Sequence, residues 1–103
     1  MKMYILVLDN VPDEFVPVIT AHASLACYLR NSDNPHMIDW LENSFKKCIV
    51  KVNQKEFNKA KEFEGCTVMT ESALDGQEVA IALTPRPHED WPKPVRFYKL
   101  WKF

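Results

Sequence analysis

Met3 to Leu8 is an unbroken apolar run of strand length, closed by Asp9 and Asn10. A strand with one wet face alternates apolar and polar residues, so a run without alternation suits a strand covered on both faces. Such a strand needs helices above and below it, which predicts a central first strand in a layered α/β domain. The chain can supply the cover: 47% of its 103 residues are hydrophobic and only 2 glycines interrupt it. That length suits one domain, taken as residues 1–103, and is short for two.

Pro12, Asp13 and Glu14 form a loop into a helix that should run to Arg30, with Pro17 in its first turn, where a missing amide donor costs nothing. Ala21, Ala23 and Ala26 allow close approach to the sheet, and Ile19, Leu25 and Leu29 provide bulk. After a polar break, Asn34 and Pro35 open a second helix on which Ile38, Leu41 and Phe45 recur at helical spacing. Cys48 to Val52 reads as a second strand. Asn53 and Glu56 fit a capping box, leading a third helix with Phe57, Ala60 and Phe63 on one face and a stop at Gly65.

Cys66 to Met69 and Val79 to Leu83 are the last two strands. The turn at Asp75 and Gly76 is too close for a helical crossover, so they should pair antiparallel. The tail carries Trp91, Phe97, Tyr98, Leu100, Trp101 and Phe103, an aromatic density that implies docking on the domain, with Phe97, Leu100 and Trp101 as one face of a final short helix. The expected architecture is a three-layer α/β/α sandwich around a four-stranded mixed sheet.

The N-terminal apolar run is too brief for a signal sequence, and no segment approaches a membrane span, so no membrane is expected and the cytoplasm is the expected location. Cys27, Cys48 and Cys66 are odd in number, widely spaced and set among apolar residues, which argues for reduced thiols over a disulfide framework or a zinc cluster. His22, His36 and His88 show no ligand spacing, and neither a metal nor a cofactor is assigned. A net charge of -1 argues against wrapping nucleic acid through its phosphates. Lysines are nonetheless dense between Lys46 and Lys61, and Lys93, Arg96, Lys99 and Lys102 gather near the end; a local basic face and ordinary solvated lysines both fit.

The stretch Thr-Ala-His-Ala-Ser-Leu-Ala-Cys-Tyr at 20–28, following the first strand, resembles the small-residue helix of the type II peptidyl-tRNA hydrolases, with His22 in the place of their helix histidine. Trp40 followed by Lys46-Lys47-Cys48-Ile49-Val50-Lys51-Val52 is similar to that family's tryptophan and second strand. Leu83 to Pro87 and Lys99-Leu100-Trp101 resemble its last strand, its proline exit and its terminus. The resemblance covers nearly the whole chain. It implies the family's fold, cofactor-free hydrolysis of the ester in peptidyl-tRNA, and tRNA as a partner. Departures bear on that activity: no lysine lies between Lys2 and Lys46, where the family carries one near the first helix, and Thr70 to Gln77 replaces an arginine-rich loop bearing an acid and a threonine.

Ester cleavage needs a group to orient or deprotonate water and donors for the developing oxyanion. The resemblance makes Glu71 and His22 the catalytic candidates, expected to meet at the C-terminal ends of the parallel strands. Thr20, Ser24, Lys46, Lys47, Ser72 and Arg86 are the candidates for holding substrate, the cations by meeting phosphates. Ordinary alternatives stand beside these: a helix histidine, a solvated loop acid, solubilising lysines, and Trp40 as a packing anchor. Two functions remain open, the hydrolase and a binding or regulatory domain that keeps the fold; a hydrolase of another small ester or amide is a third. Exposed edge strands and the aromatic tail are compatible with a homodimer.

Overall fold

In a computed structural model describing residues 1–102, the strands are β1 (Lys2–Leu8), β2 (Lys46–Val52), β3 (Cys66–Glu71), β4 (Gln77–Arg86) and β5 (Lys99–Leu100). The α-helices are α1 (Val16–Arg30), α2 (Pro35–Asn43) and α3 (Gln54–Ala60). Phe103, assigned above to the aromatic tail, lies outside the described residues. The strands make one mixed sheet in the order β3-β4-β1-β2-β5. β1 pairs in parallel with β2, from Lys2 opposite Lys46 to Leu8 opposite Val52, and antiparallel with β4 on its other side. The unbroken apolar run is thus near the middle of the sheet, with Met3, Ile5, Leu6, Val7 and Leu8 all buried.

Side chains alternate across this sheet. Ile5 and Ile49, opposite each other, lie beneath α1 and α2. Their neighbours Leu6 and Val50 point the other way and are fully buried, which requires cover on that side as well. α3 packs across β1 and β2 there. The capping box forms as expected: the Asn53 side chain accepts from the Glu56 amide at 2.8 Å and the Glu56 carboxylate accepts from the Asn53 amide at 2.9 Å. Such a cap contributes about 1 kcal/mol, and the fully buried Phe57 side chain about 2–3 kcal/mol more.

Several expectations need correction. The sheet has five strands rather than four, because the tail does not end in a helix: a 3-10 turn at Lys93–Phe97 leads into β5, which pairs antiparallel with β2, Lys99 opposite Lys51. Trp101 follows, donating its amide to the Ile49 carbonyl at 3.0 Å and its indole N–H to Asp13 at 3.1 Å. α3 stops at Ala60, short of Gly65, and Phe63 packs against the core from the turn beyond it. β4 runs on through Pro85 to Arg86 because its pairing with β1 is irregular there. Thr84 and Pro85 together face Met3, so the missing proline donor breaks no regular ladder.

The apolar stripes also differ from expectation. On α2 the core is met by Met37 and Trp40, while Ile38, Leu41 and Phe45 are exposed; on α1 it is met by Val16, Ile19, Ala23 and Cys27, while Leu25 and Leu29 are exposed. Both helices carry more apolar surface than the core consumes.

Candidate functional site

The surplus apolar residues frame a groove of about 380 Å³ between α1 and α2, floored by Ile5 and Ile49. From α1 it receives Pro17, Thr20, Ala21, Ser24, Leu25 and Tyr28, which the 3.6-residue period places along one flank. From α2 and its exit come Trp40, Leu41 and Phe45, and from β2 comes Lys47. Trp40 is buried and fixed by its indole N–H, which donates to the Lys46 carbonyl at 2.7 Å, so it serves as a packing anchor that also walls the groove.

Phe45, two residues past the end of α2, lies in the left-handed region, φ +62°, with its amide donating to the Trp40 carbonyl at 2.6 Å. An aromatic residue pays a steric penalty in that conformation, which glycine would escape. The turn sets the Phe45 ring 5.3 Å from that of Trp40, and the two form a shelf. The Lys47 ammonium rests over it, 3.0 Å from the Phe45 ring centroid and 5.2 Å from that of Trp40, and donates to the Phe45 carbonyl at 3.0 Å. Desolvation lowers the Lys47 pKa from its ordinary value, and among the described residues no carboxylate pairs with it. Among the described residues, the walls hold three hydroxyls, of Thr20, Ser24 and Tyr28, and one cation, but neither a carboxylate nor an imidazole. Thr20 donates its own proton to the Pro17 carbonyl at 3.0 Å, which leaves its oxygen as an acceptor.

Thr20, Ser24 and Lys47 are therefore brought together. The other residues singled out from the sequence lie elsewhere. His22 is exposed on α1, about 160° around the helix from Ser24, and is not part of the groove. Glu71 ends β3, where its carboxylate accepts from the Ala73 amide at 3.4 Å and caps a 3-10 turn at Ser72–Leu74; Ser72 is exposed at the start of that turn. His22 and Glu71 share no hydrogen bond among the described residues. Lys46 alternates to the opposite face of β2 from Lys47.

Arg86 belongs to a different cavity. Its guanidinium donates to the Glu64 carbonyl at 2.8 Å and to the Thr84 carbonyl and hydroxyl at 3.2 and 3.1 Å, and lies 4.6 Å from the centre of the Trp91 ring. Burial lowers its pKa, while the Glu64 and Asp90 carboxylates act to raise it. The lysine-rich stretch is likewise divided. Lys59 pairs with Glu62 at 3.8 Å, Lys61 pairs with Glu78, and Lys51 lies over Trp101 at 4.5 Å.

The groove also sits over the middle of the sheet instead of at the C-terminal strand ends expected for an open α/β site. The depression at those ends is lined by Asp9, Asn53, Glu56, Lys51, Phe97 and Lys99 among others. Sequence reasoning missed Leu25, Tyr28, Leu41 and Phe45 as groove residues. Their signal was a surplus: α2 has two apolar stripes, and a helix on a sheet buries one.

No protein-family model matches the chain, and no curated protein matches it by sequence. Among the described residues, no helix is long and apolar enough to cross a membrane.

Proposed function

We propose that this chain is a divergent relative of the type II peptidyl-tRNA hydrolases that has kept the three-layer fold for binding and uses the groove between α1 and α2 to hold a small ligand. What supports the family likeness is the β-α-α-β-α-β-β order from β1 to β4 and the small-residue helix that follows the central strand. What supports binding over hydrolysis is one observation: Thr20, Ser24 and Lys47 share a groove whose walls, among the described residues, contain no carboxylate or imidazole. Hydroxyls and an ammonium can hold a ligand's oxygen atoms, whereas the groups most often used to activate water are imidazole and carboxylate. On this reading the protein acts in the cytoplasm without metal or cofactor.

The competing reading, a hydrolase acting on the ester of peptidyl-tRNA, requires His22 and Glu71 to work. The test is release of N-acetyl amino acid from purified N-acetyl-aminoacyl-tRNA. No release above background is expected from the wild-type chain, His22→Ala or Glu71→Gln. Turnover by the wild type that falls at least tenfold in both variants would overturn the binding reading; a tenfold loss corresponds to about 1.4 kcal/mol of transition-state stabilisation.

A further inference from the structure

Resting on the binding reading above, we infer that the ligand of the groove is a small amphipathic carboxylate, an aromatic or aliphatic body carrying one negative charge. The apolar body would lie over Ile49 between Leu25 and Leu41, and its carboxylate would meet the Lys47 ammonium, with the Ser24 and Tyr28 hydroxyls as further donors.

Charge and geometry together select this class. Lys47 is the one cation in the groove wall, and it is held by a carbonyl and two aromatic rings instead of by an acid. An ammonium has three donors; one is engaged by the Phe45 carbonyl, so capacity remains for an incoming anion. A neutral apolar ligand would cover that charge without replacing its water, which is costly. A cationic ligand would be repelled, and the aromatic face it would seek already carries Lys47. A phosphate dianion calls for more than one cation or a cradle of amides. A monocarboxylate matches one ammonium and several hydroxyls. A volume of about 380 Å³ is near the small end of ligand pockets.

Phe45 supplies an independent argument. A side chain kept at φ +62° where glycine would be unstrained is a local cost retained at a site, and what that cost sets in place is the shelf under Lys47.

The experiment titrates 4-phenylbutyrate, 4-phenylbutanol and 4-phenylbutylamine into the isotope-labelled chain, following backbone amides and the Trp40 indole N–H by NMR. The carboxylate should bind about tenfold or more tightly than the alcohol, with shifts centred on Thr20, Ser24, Trp40 and Lys47. Lys47→Met should abolish that preference and Lys47→Arg should keep most of it. Equal binding of carboxylate and alcohol would overturn the inference, as would shifts centred on Lys51 and Lys99. So would the absence of saturable binding by all three, or a self-association removed by Leu25→Asp and untouched by the carboxylate, which would make the groove an interface between copies. None of these outcomes depends on His22 or Glu71, so a failure here is distinct from the discovery of tRNA ester turnover.

Discussion

The groove between α1 and α2 and the cleft around Arg86 are opposites. The cleft is the larger, about 560 Å³, and the more polar, with Asn31, Asn34, Glu64, Thr84, Arg86 and Asp90 in its walls. Much of that polarity is already engaged within the fold. The Asn31 side chain donates to the Cys27 carbonyl at 2.9 Å, Asn34 accepts from the His36 and Met37 amides at the start of α2, and Arg86 ties the Glu64 segment to the end of β4. Gly65 shows how tight this joint is: at φ +77° it lies against Thr84 so closely that a Cβ would strike the Thr84 side chain. The groove is smaller and mostly apolar, yet its one cation has no acidic partner among the described residues. A polar cavity whose donors hold the chain together is architecture; an apolar one with a free donor is better placed to take a ligand.

The sharpest way to break this contrast is to remove each cation while keeping its aliphatic length. Arg86→Met should cost about 3 kcal/mol, because charged donors to the Glu64 and Thr84 oxygens disappear and the Trp91 ring loses its cation. Lys47→Met should change stability by no more than about 0.5 kcal/mol, since an exposed lysine is being replaced on a surface that accepts apolar atoms. Urea unfolding of both variants measures the difference. Equal losses would show that Lys47 is as structural as Arg86 and that the groove has no free donor.

The next effect comes from Cys27, fully buried on α1. Burial pushes its thiol from 9.0 up to about 11, against the opposing influence of a hydrogen bond with Thr67 and the charges of Arg86 and Arg30. The folded chain then holds this proton over a pH range where the unfolded chain releases it. Stability from this group is fully present below pH 9.0 and declines as pH rises towards about 11. The loss is roughly 2–3 kcal/mol over that window. Cys27→Ser does not titrate there, so the difference between the two unfolding curves across the window isolates the thiol from the lysines. Curves that stay parallel would remove Cys27 as a stability determinant. Adding Arg86→Met should carry the decline on to higher pH, because one of the charges that lowers the thiol is gone.

Local, self-contained signals were the ones readable in advance. The run at Met3 to Leu8 announced a strand covered twice, and Asn34-Pro35 and Asn53 with Glu56 marked two helix starts, because caps depend on neighbours a few residues away. β5 was not readable. Two residues carry no period, and Lys99 and Leu100 become a strand only because the edge of β2 is there to pair with them. The groove was hidden for a related reason. Helical spacing through Ile38, Leu41 and Phe45 was real up to the end of α2 at Asn43, but spacing does not say which of two stripes is buried. Trp40 took the inner position, where its bulk is buried and its N–H reaches the Lys46 carbonyl. Thr20, Ser24 and Lys47 could be named from a resemblance, whereas Glu71 could not be told from a turn cap: an acid before Ser72 and Ala73 serves either role until the Ala73 amide is seen to use it.

The smallest effect tests whether the shelf beneath Lys47 is held at a cost. Phe45→Gly should be about 1 kcal/mol more stable than Phe45→Ala, because both delete the partly buried ring and only glycine escapes the left-handed penalty. Phe45→Ala keeps the penalty and loses the ring, so it should be no more stable than the wild type. Lys47 should respond identically in both, since either change removes the face 3.0 Å below its ammonium and leaves only the more distant Trp40 ring to position it. Carboxylate binding should therefore weaken equally in Phe45→Gly and Phe45→Ala, whatever the difference in their stability. If Phe45→Gly proves less stable than Phe45→Ala, the φ of +62° carries no strain, and the turn after α2 is held by the ring's own packing instead of being imposed on it.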